Sequence, residues 1–334
     1  MCYTEKEMRR AVAIFIFLLS VGVLAWLFFR PSAPVVSPLG KIFEKPLDKY
    51  TLERLSQRPY SGSQIVFAEA VATTSSYTTY RFYFTSDEKK ITGLAHIPQG
   101  PQPVGGFPVI MQLRGYVDRE KYTPGEGTKR SAQVFASNGF VSLAPDFLGY
   151  GGSASPSSDI FEERFQTYTT VLNLIASIKT LPMANAAKIG LWGHSNGGQI
   201  ALTALEVLKQ PIPTVLWAPV SKPFPYSILY YTDEASDRGK LLRRRLAKFE
   251  EDYDVELYSM PNYFDWISAP LLIQQGTTDS AVPQRWSDEL VKLLKEKGKQ
   301  VTYFIYPGAD HNLQPAWNTV VTRDLEFFRR HLYN

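Results

Sequence analysis

The sequence has 334 residues, of which 44% are hydrophobic and 20% are charged, and its net charge is +4. These ordinary values exclude a largely disordered chain and a multi-span membrane protein. The single cysteine, Cys2, excludes an intramolecular disulfide framework and a zinc site built from cysteines. A mild positive charge without a concentrated basic face gives no reason to expect a nucleic-acid partner.

An apolar block near the N-terminus departs from this average composition. Residues 11–29 are 19 consecutive residues without a charge, and a helix of that length spans about 28 Å, close to the thickness of a bilayer core. Phe28, Phe29 and Arg30 end the block, whereas a signal-peptide cleavage site needs small residues. We therefore expect an uncleaved transmembrane anchor, with a cleaved signal and a secreted protein as the alternative.

The segments on either side of this block divide the rest of the chain. Residues 1–10 are expected to form a short cytoplasmic tail, which would place the chain after the anchor outside the cytoplasm. Residues 30–50 begin with three prolines among small residues and are expected to form an extended tether. A single domain is predicted over residues 51–334.

The predicted elements of this domain begin with an antiparallel hairpin at 80–85 and 91–97. The apolar runs that follow are nearly continuous, which is typical of parallel strands covered on both faces. Their alternation with helices predicts an α/β fold with a mostly parallel, doubly wound sheet. The later strands are predicted at 109–113, 140–144, 189–192, 215–218, 271–274 and 301–306, and helices at 161–180, 197–209, 284–297 and 315–331.

A helical insertion interrupts this alternation at about 220–269. It contains a charged helix at about 234–252, with Leu242, Leu246 and Phe249 on one face. Because the insertion follows a strand at the carboxyl edge of the sheet, we expect it to form a cap.

The segment Gly193-His194-Ser195-Asn196-Gly197 matches the G-x-S-x-G pattern of a nucleophile elbow. It stands between a predicted strand and a predicted helix, the context that this turn requires. The turn strains the serine backbone, and Gly193 and Gly197 provide the small residues that it needs. Ser195 is therefore the predicted nucleophile.

A serine nucleophile needs a base, and the sequence contains four histidines, His96, His194, His311 and His331. Only His311 lies in a loop between the last predicted strand and the last predicted helix, where the base of such an arrangement belongs. The remaining three are expected to be structural.

An acid that orients this base should follow an earlier strand. Asp279 does so, and the order Ser195, Asp279, His311 is that of the α/β-hydrolases. Asp310 is the rival, but its position next to His311 makes a stabilising role in the loop more plausible.

The oxyanion of an acyl-transfer reaction needs two hydrogen-bond donors. One is predicted to be the backbone N–H of Asn196 at the start of the helix. The other is expected from the loop after the strand at 109–113, where Tyr116 offers either its N–H or its phenol.

These motifs resemble the catalytic domain of the prolyl oligopeptidase (S9) family of serine peptidases, which has the α/β-hydrolase fold. The segments that carry the resemblance are the elbow, residues 270–283 and residues 306–311. The resemblance implies the same three catalytic residues, and it implies that a tyrosine at the position of Tyr116 donates to the oxyanion.

The resemblance leaves the substrate open. About 30 residues, 51–79, separate the tether from the hairpin, too few for the propeller domain that family members carry. A peptidase acting on small or short-peptide substrates is the first hypothesis, and a carboxylesterase acting on small acyl esters is the second. A non-catalytic binding module on the same fold is a remote third. No cofactor and no metal site are predicted.

Overall fold

The computed structural model describes residues 45–333. The predicted tail at 1–10, the predicted anchor at 11–29 and most of the predicted tether at 30–50 lie outside these residues. None of the helices between residues 45 and 333 combines the length and apolar character that a membrane crossing requires. The compact unit begins at Pro46, and Leu47 and Tyr50 are buried in it, so the last residues of the predicted tether belong to the domain.

A nine-stranded sheet forms the centre of this part of the chain. The strands are β1 (Val66–Thr73), β2 (Tyr77–Ser86), β3 (Lys89–Pro98), β4 (Phe107–Leu113), β5 (Val141–Pro145), β6 (Ala184–His194), β7 (Thr214–Trp217), β8 (Leu271–Gly276) and β9 (Val301–Tyr306). Their order is β1-β2-β3-β5-β4-β6-β7-β8-β9. Pairing is antiparallel from β1 to β5 along this order and parallel from β5 to β9.

The parallel strands send alternate side chains to two hydrophobic clusters. In β4, Val109 and Met111 join the larger cluster, whereas Ile110 between them joins the smaller one. The same alternation separates Leu216 from Val215 in β7. Successive side chains of a strand point to opposite faces, so a strand covered on both faces must be apolar throughout. This explains the continuous apolar runs in the sequence.

Helices cover both faces of the sheet. They are α1 (Leu52–Gln57), α2 (Lys129–Ser137), α3 (Ile160–Ser177), α4 (Asn196–Leu208), α5 (Tyr226–Leu229), α6 (Lys240–Asp252), α7 (Gln284–Glu296) and α8 (Trp317–Leu332). Phe165 of α3, Leu202 of α4 and Leu290 of α7 lie in the larger cluster. Phe135 of α2 and Phe328 of α8 lie in the smaller one. The predicted doubly wound α/β fold is confirmed.

The local sequence explains where α3 begins. The side chain of Asp159 accepts hydrogen bonds from the backbone N–H groups of Phe161 and Glu162, which have no partner inside the helix. Glu162 and Glu163 add negative charge to the first turn, where the helix dipole favours it.

The insertion predicted at 220–269 contains α5, α6 and three 3₁₀ segments, Thr232–Glu234, Val255–Tyr258 and Met260–Trp266. The charged helix begins at Lys240 rather than near 234, because Gly239 before it has a φ of 70° that interrupts helical geometry. α6 packs against α3, since the ring of Phe249 lies 5.0 Å from that of Phe161.

The sequence analysis did not identify β1, α1 or α2. Residues 68–73 of β1 are exposed on both faces at the edge of the sheet, so they show no alternation of apolar and polar side chains. α1 and α2 have 6 and 9 residues, too few for a clear helical period.

Candidate active site

The turn from β6 into α4 places Ser195 at the carboxyl edge of the sheet. Its φ of 57° and ψ of −120° are strained for a serine. Its N–H donates to the carbonyl of Trp217 at 2.9 Å. Its carbonyl accepts from the N–H groups of Gly198 and Val220, both at 3.0 Å. These backbone hydrogen bonds hold the strained turn in place.

The two predicted elbow glycines occupy positions without room for a side chain. A Cβ atom on Gly193 would lie 2.5 Å from the carbonyl oxygen of Gly197. On Gly197 it would lie 1.9 Å from the carbonyl oxygen of Leu113, at the end of β4. The close packing of α4 against β4 therefore requires glycine at this position.

Asp279 and His311 meet although they lie in different loops. Asp279 follows β8 and His311 follows β9, and the His311 Nδ1 lies 2.8 Å from the Asp279 Oδ2. The Asp279 side chain is fully buried, whereas 22% of the His311 side chain is exposed. Because an ionised carboxylate only accepts, Nδ1 carries the proton of the neutral ring and Nε2 is left to accept one.

The environment of Asp279 favours its ionised form. Its Oδ1 accepts from the N–H groups of Ala281 at 2.9 Å and Val282 at 2.8 Å, and its Oδ2 accepts from the Gln275 amide at 3.1 Å. Burial raises the pKa of Asp279, but the hydrogen bonds and the charge of His311 outweigh it and hold the pKa below its usual value. Asp279 is therefore an anion at neutral pH.

Asp310 has a different role from its neighbour His311. Its Oδ1 accepts from the backbone N–H groups of Asn312 and Gln314, both at 2.9 Å. Its carboxylate therefore stabilises the backbone of its own loop.

His194, the residue before Ser195, touches the loop of His311. Its Nε2 lies 2.9 Å from the His311 carbonyl, and the centres of the two rings are 4.6 Å apart. Burial and the nearby His311 lower the pKa of His194 to about 4, so the ring is neutral at physiological pH. Since a carbonyl only accepts, Nε2 is the donor, and His194 joins the elbow to the histidine loop.

The other two histidines lie away from this cluster. His96 of β3 is buried, and burial together with Lys129 lowers its pKa to about 4. His331 of α8 lies against Phe327.

The loop after β4 lies against Ser195. A Cβ atom on Gly115 would be 3.0 Å from the Ser195 Cβ and 3.5 Å from its Oγ. The phenol of Tyr116 donates to Asp118 at 3.0 Å, and 76% of the residue is exposed. This favours the backbone N–H over the phenol as the oxyanion donor expected from Tyr116. Asn196 begins α4, where helix N–H groups lack partners within the helix.

A wall of buried apolar and aromatic side chains lies next to Ser195. Val220, whose N–H bonds to Ser195, belongs to a buried cluster with Val282 and Trp286. Tyr230 packs on this cluster, with its ring centre 4.7 Å from that of Trp286. The sequence analysis did not identify this wall.

A cavity of about 420 Å³ lies behind the histidine loop. Its lining includes His194, Asn312, three tryptophans and residues at the start of α2. Its tryptophans are Trp192, Trp217 and Trp317. Within residues 45–333 no group of three or more His, Cys, Asp or Glu side chains is arranged to hold a metal ion.

Comparison with known proteins identifies the family. The model of the prolyl oligopeptidase family, Peptidase S9, matches residues 127–334, which include the elbow and the loops of Asp279 and His311. The chain belongs to the prolyl oligopeptidase family. Family membership assigns it to the serine hydrolases.

Two curated proteins are related at low identity. Dipeptidyl peptidase family member 6 of Caenorhabditis elegans is 25% identical over 243 residues, covering 70% of this chain and 31% of that protein. Protein ABHD12B of Homo sapiens is 27% identical over 226 residues, covering 62% of this chain and 57% of that protein. The aligned parts thus span about a third of the first relative and little more than half of the second.

A solved structure shares the fold. Acetyl xylan esterase 1 from Thermoanaerobacterium sp. JW/SL YS485 superimposes with a TM-score of 0.63 at 16% identity. The match covers 84% of this chain and 94% of the esterase. The similarity supports the α/β-hydrolase fold.

Proposed function

We propose that this chain is a serine peptidase that cleaves small or short-peptide substrates through an acyl-enzyme formed on Ser195. The observation that carries the proposal is the Asp279–His311 hydrogen bond of 2.8 Å, in a loop joined to the elbow by the His194–His311 contact. A strained serine beside such a pair suits nucleophilic catalysis.

The geometry supports a two-step reaction. The Ser195 oxygen attacks the substrate carbonyl carbon while the Nε2 of His311 takes the hydroxyl proton. The N–H groups of Asn196 and Tyr116 stabilise the resulting oxyanion. The carbon–leaving-group bond then breaks, and the leaving group takes the proton from His311. Water repeats the sequence on the acyl-enzyme and releases the acid, while Asp279 stabilises the protonated ring.

A carboxylesterase acting on small acyl esters is the second candidate. The shared fold favours it, because the acetyl xylan esterase from Thermoanaerobacterium superimposes over 84% of this chain and 94% of that enzyme. The chemistry is shared, since both activities pass through the same acyl-enzyme.

Labelling with a fluorophosphonate probe tests the nucleophile. We expect the wild type to be labelled and Ser195→Ala to remain folded but unlabelled. Ser280→Ala, which removes an exposed serine next to Asp279, is the matched control and should be labelled like the wild type. Equal labelling of Ser195→Ala would overturn the assignment.

A substrate panel separates the two activities. p-Nitrophenyl esters of increasing acyl length and p-nitroanilides of proline and other amino acids should be assayed with the same enzyme. Turnover of the anilides that depends on Ser195 supports a peptidase. Turnover of the esters alone supports the carboxylesterase. No turnover of either class would favour a binding module.

We also propose that residues 11–29 anchor the enzyme in a membrane with the catalytic domain outside the cytoplasm. The uncharged apolar run of 19 residues is the support for this proposal. The full chain should stay with membranes after an alkaline carbonate wash, whereas a protein lacking residues 1–38 should be released. Recovery of a released chain whose N-terminus lies beyond residue 29 would show a cleaved signal instead.

A further inference from the structure

Arg114 lies between the end of β4 and Gly115, and only 5% of it is exposed. Its guanidinium donates to the carbonyl of Gly115 at 2.9 Å and to that of Asp146 at 3.2 Å. It also lies over the rings of Tyr122 and Tyr150, 4.6 and 4.1 Å from their centres. The planar cation thus joins the loop after β4 to the loop after β5.

The bond to Gly115 fixes the peptide unit beside the nucleophile. The carbonyl of Gly115 and the N–H of Tyr116 belong to one planar trans peptide, so they point in opposite directions. A carbonyl held towards the buried guanidinium directs the N–H away from it. Gly115 itself lies against Ser195. The direction of the Tyr116 N–H therefore depends on Arg114.

The surroundings of Arg114 are built to hold it. The Asp146 carboxylate accepts from the hydroxyls of Thr92 at 2.5 Å and Tyr122 at 2.6 Å, so Asp146 and one stacked ring are fixed together. The hydroxyl of Tyr150 donates to the carbonyl of Val117 at 3.0 Å, in the same loop as Gly115. The rings and carbonyls leave the guanidinium a single orientation.

A purely structural side chain at this position would not need a charge. Burying a guanidinium is costly, and its Nε has no hydrogen-bond partner within the described residues. An apolar side chain could fill the same volume without that cost, but it could not bond to the carbonyl of Gly115. The cation also places positive charge beside the peptide between Gly115 and Tyr116.

We propose that Arg114 is a positioning residue that aims the backbone N–H of Tyr116 at the oxyanion. This inference rests on the proposed acyl-enzyme chemistry at Ser195 and names the group that organises its oxyanion site.

Arg114→Gln tests the inference because it removes the planar cation and keeps a polar side chain. We expect kcat for a p-nitrophenyl ester to fall about 100-fold or more, the loss typical of one oxyanion donor, while KM changes little. The inhibition constant of a trifluoromethyl ketone, whose adduct carries an oxyanion, should rise by a similar factor. Binding of the product acid should not change in proportion.

Two further variants keep the test decisive. Arg114→Lys retains the charge but lacks the planar fork that spans the two carbonyls and stacks on the tyrosine rings, and it should lose activity even if Arg114→Gln does not fold. Arg119→Gln is the matched control, because Arg119 also lies over Tyr150 but is exposed and pairs with Glu163. It should keep the wild-type kcat. Addition of guanidinium ion to Arg114→Ala should restore part of the activity.

Folded Arg114 variants with wild-type kcat and wild-type inhibition by the ketone would overturn the inference. So would a loss of kcat without a matching loss of ketone binding. Failure of the wild type to be labelled at Ser195 would instead overturn the proposed function, so the two failures are distinguishable.

Discussion

Two carboxylates were candidates for the acid that orients His311, and Asp279 and Asp310 differ in what they contact. Asp279 bonds to the His311 ring, whereas the Asp310 carboxylate bonds to backbone N–H groups of its own loop. An orienting acid must reach Nδ1, and a residue adjacent to the histidine in sequence is turned away from its ring. The assignment of the acid therefore depends on tertiary contact and not on proximity in sequence.

Exchange of these two carboxylates for amides should have unequal effects. We expect Asp279→Asn to lower kcat by about 10³- to 10⁴-fold, because an amide no longer stabilises the protonated ring or its tautomer. Asp310→Asn keeps an oxygen that accepts the loop N–H groups and should retain nearly full kcat. Steady-state kinetics on one ester measure both variants, and the opposite result would exchange the two roles.

At the scale of the elements, the site depends on how closely α4 approaches β4. The helix that follows Ser195 touches the strand end from which the loop of Gly115 departs, with no room for a methyl group at Gly197. Ser195, the proposed nucleophile, and the loop of Gly115, the proposed oxyanion loop, are thus held by one contact between a helix and a strand.

Gly197→Ala should separate these two elements. The added Cβ would meet the backbone carbonyl of Leu113, which cannot rotate away, so we expect a loss of about 1–3 kcal/mol in the free energy of unfolding. The kcat should fall as well, because the oxyanion loop moves with β4. Urea unfolding and ester kinetics measure the two effects.

Gly298→Ala is the control for this substitution. Gly298 has a φ of 69°, and none of the described residues has an atom within 4 Å of an added Cβ. The substitution therefore causes backbone strain without a clash. We expect it to lower stability modestly and to leave kcat unchanged. A Gly197→Ala protein with wild-type kcat would refute the coupling.

At the scale of the whole domain, most of the buried apolar side chains within residues 45–333 lie in two hydrophobic clusters on opposite faces of one sheet. The larger cluster contains an exception to apolar packing. Glu206 of α4 is fully buried, and its carboxyl oxygens have no hydrogen-bond partner within the described residues. Burial raises the pKa of Glu206 well above its ordinary value, so the folded protein keeps this carboxyl protonated.

This burial should make stability depend on pH. At pH values below the ordinary glutamate pKa, both folded and unfolded chains hold the proton and Glu206 adds no pH dependence. Above it the unfolded chain releases the proton and the folded chain does not. The contribution of Glu206 to the free energy of unfolding therefore falls by up to about 1.4 kcal/mol per pH unit until the pH reaches the pKa of Glu206 in the folded protein.

Glu206→Gln keeps the size of the side chain and should remove this decrease of stability with pH. Urea unfolding of both proteins at pH 4, 5.5 and 7 measures it, because the other titrating groups cancel in the difference. We expect the stability of the variant relative to the wild type to increase with pH. A difference that stays constant from pH 4 to pH 7 would show that Glu206 ionises normally in the folded protein.

Much of this arrangement follows from the sequence. The elbow glycines, the strand before Ser195 and the helix after it form a local pattern, so Ser195 could be proposed as the nucleophile from a few adjacent residues. The strand pattern predicted a doubly wound sheet, because strands covered on both faces must be apolar at every position. The exposed β1 and the short α2 left no comparable pattern.

Only the tertiary structure shows which separate loops come into contact. Asp279 and His311 are 32 residues apart, and they meet because β8 and β9 are adjacent in the sheet. The outward phenol of Tyr116 and the bonds of Arg114 also depend on neighbours from other loops. Local sequence fixes backbone conformation over a few residues, whereas the order of strands brings distant side chains together. Ser195 could thus be proposed as the nucleophile from the sequence, whereas the groups around it come together only on folding.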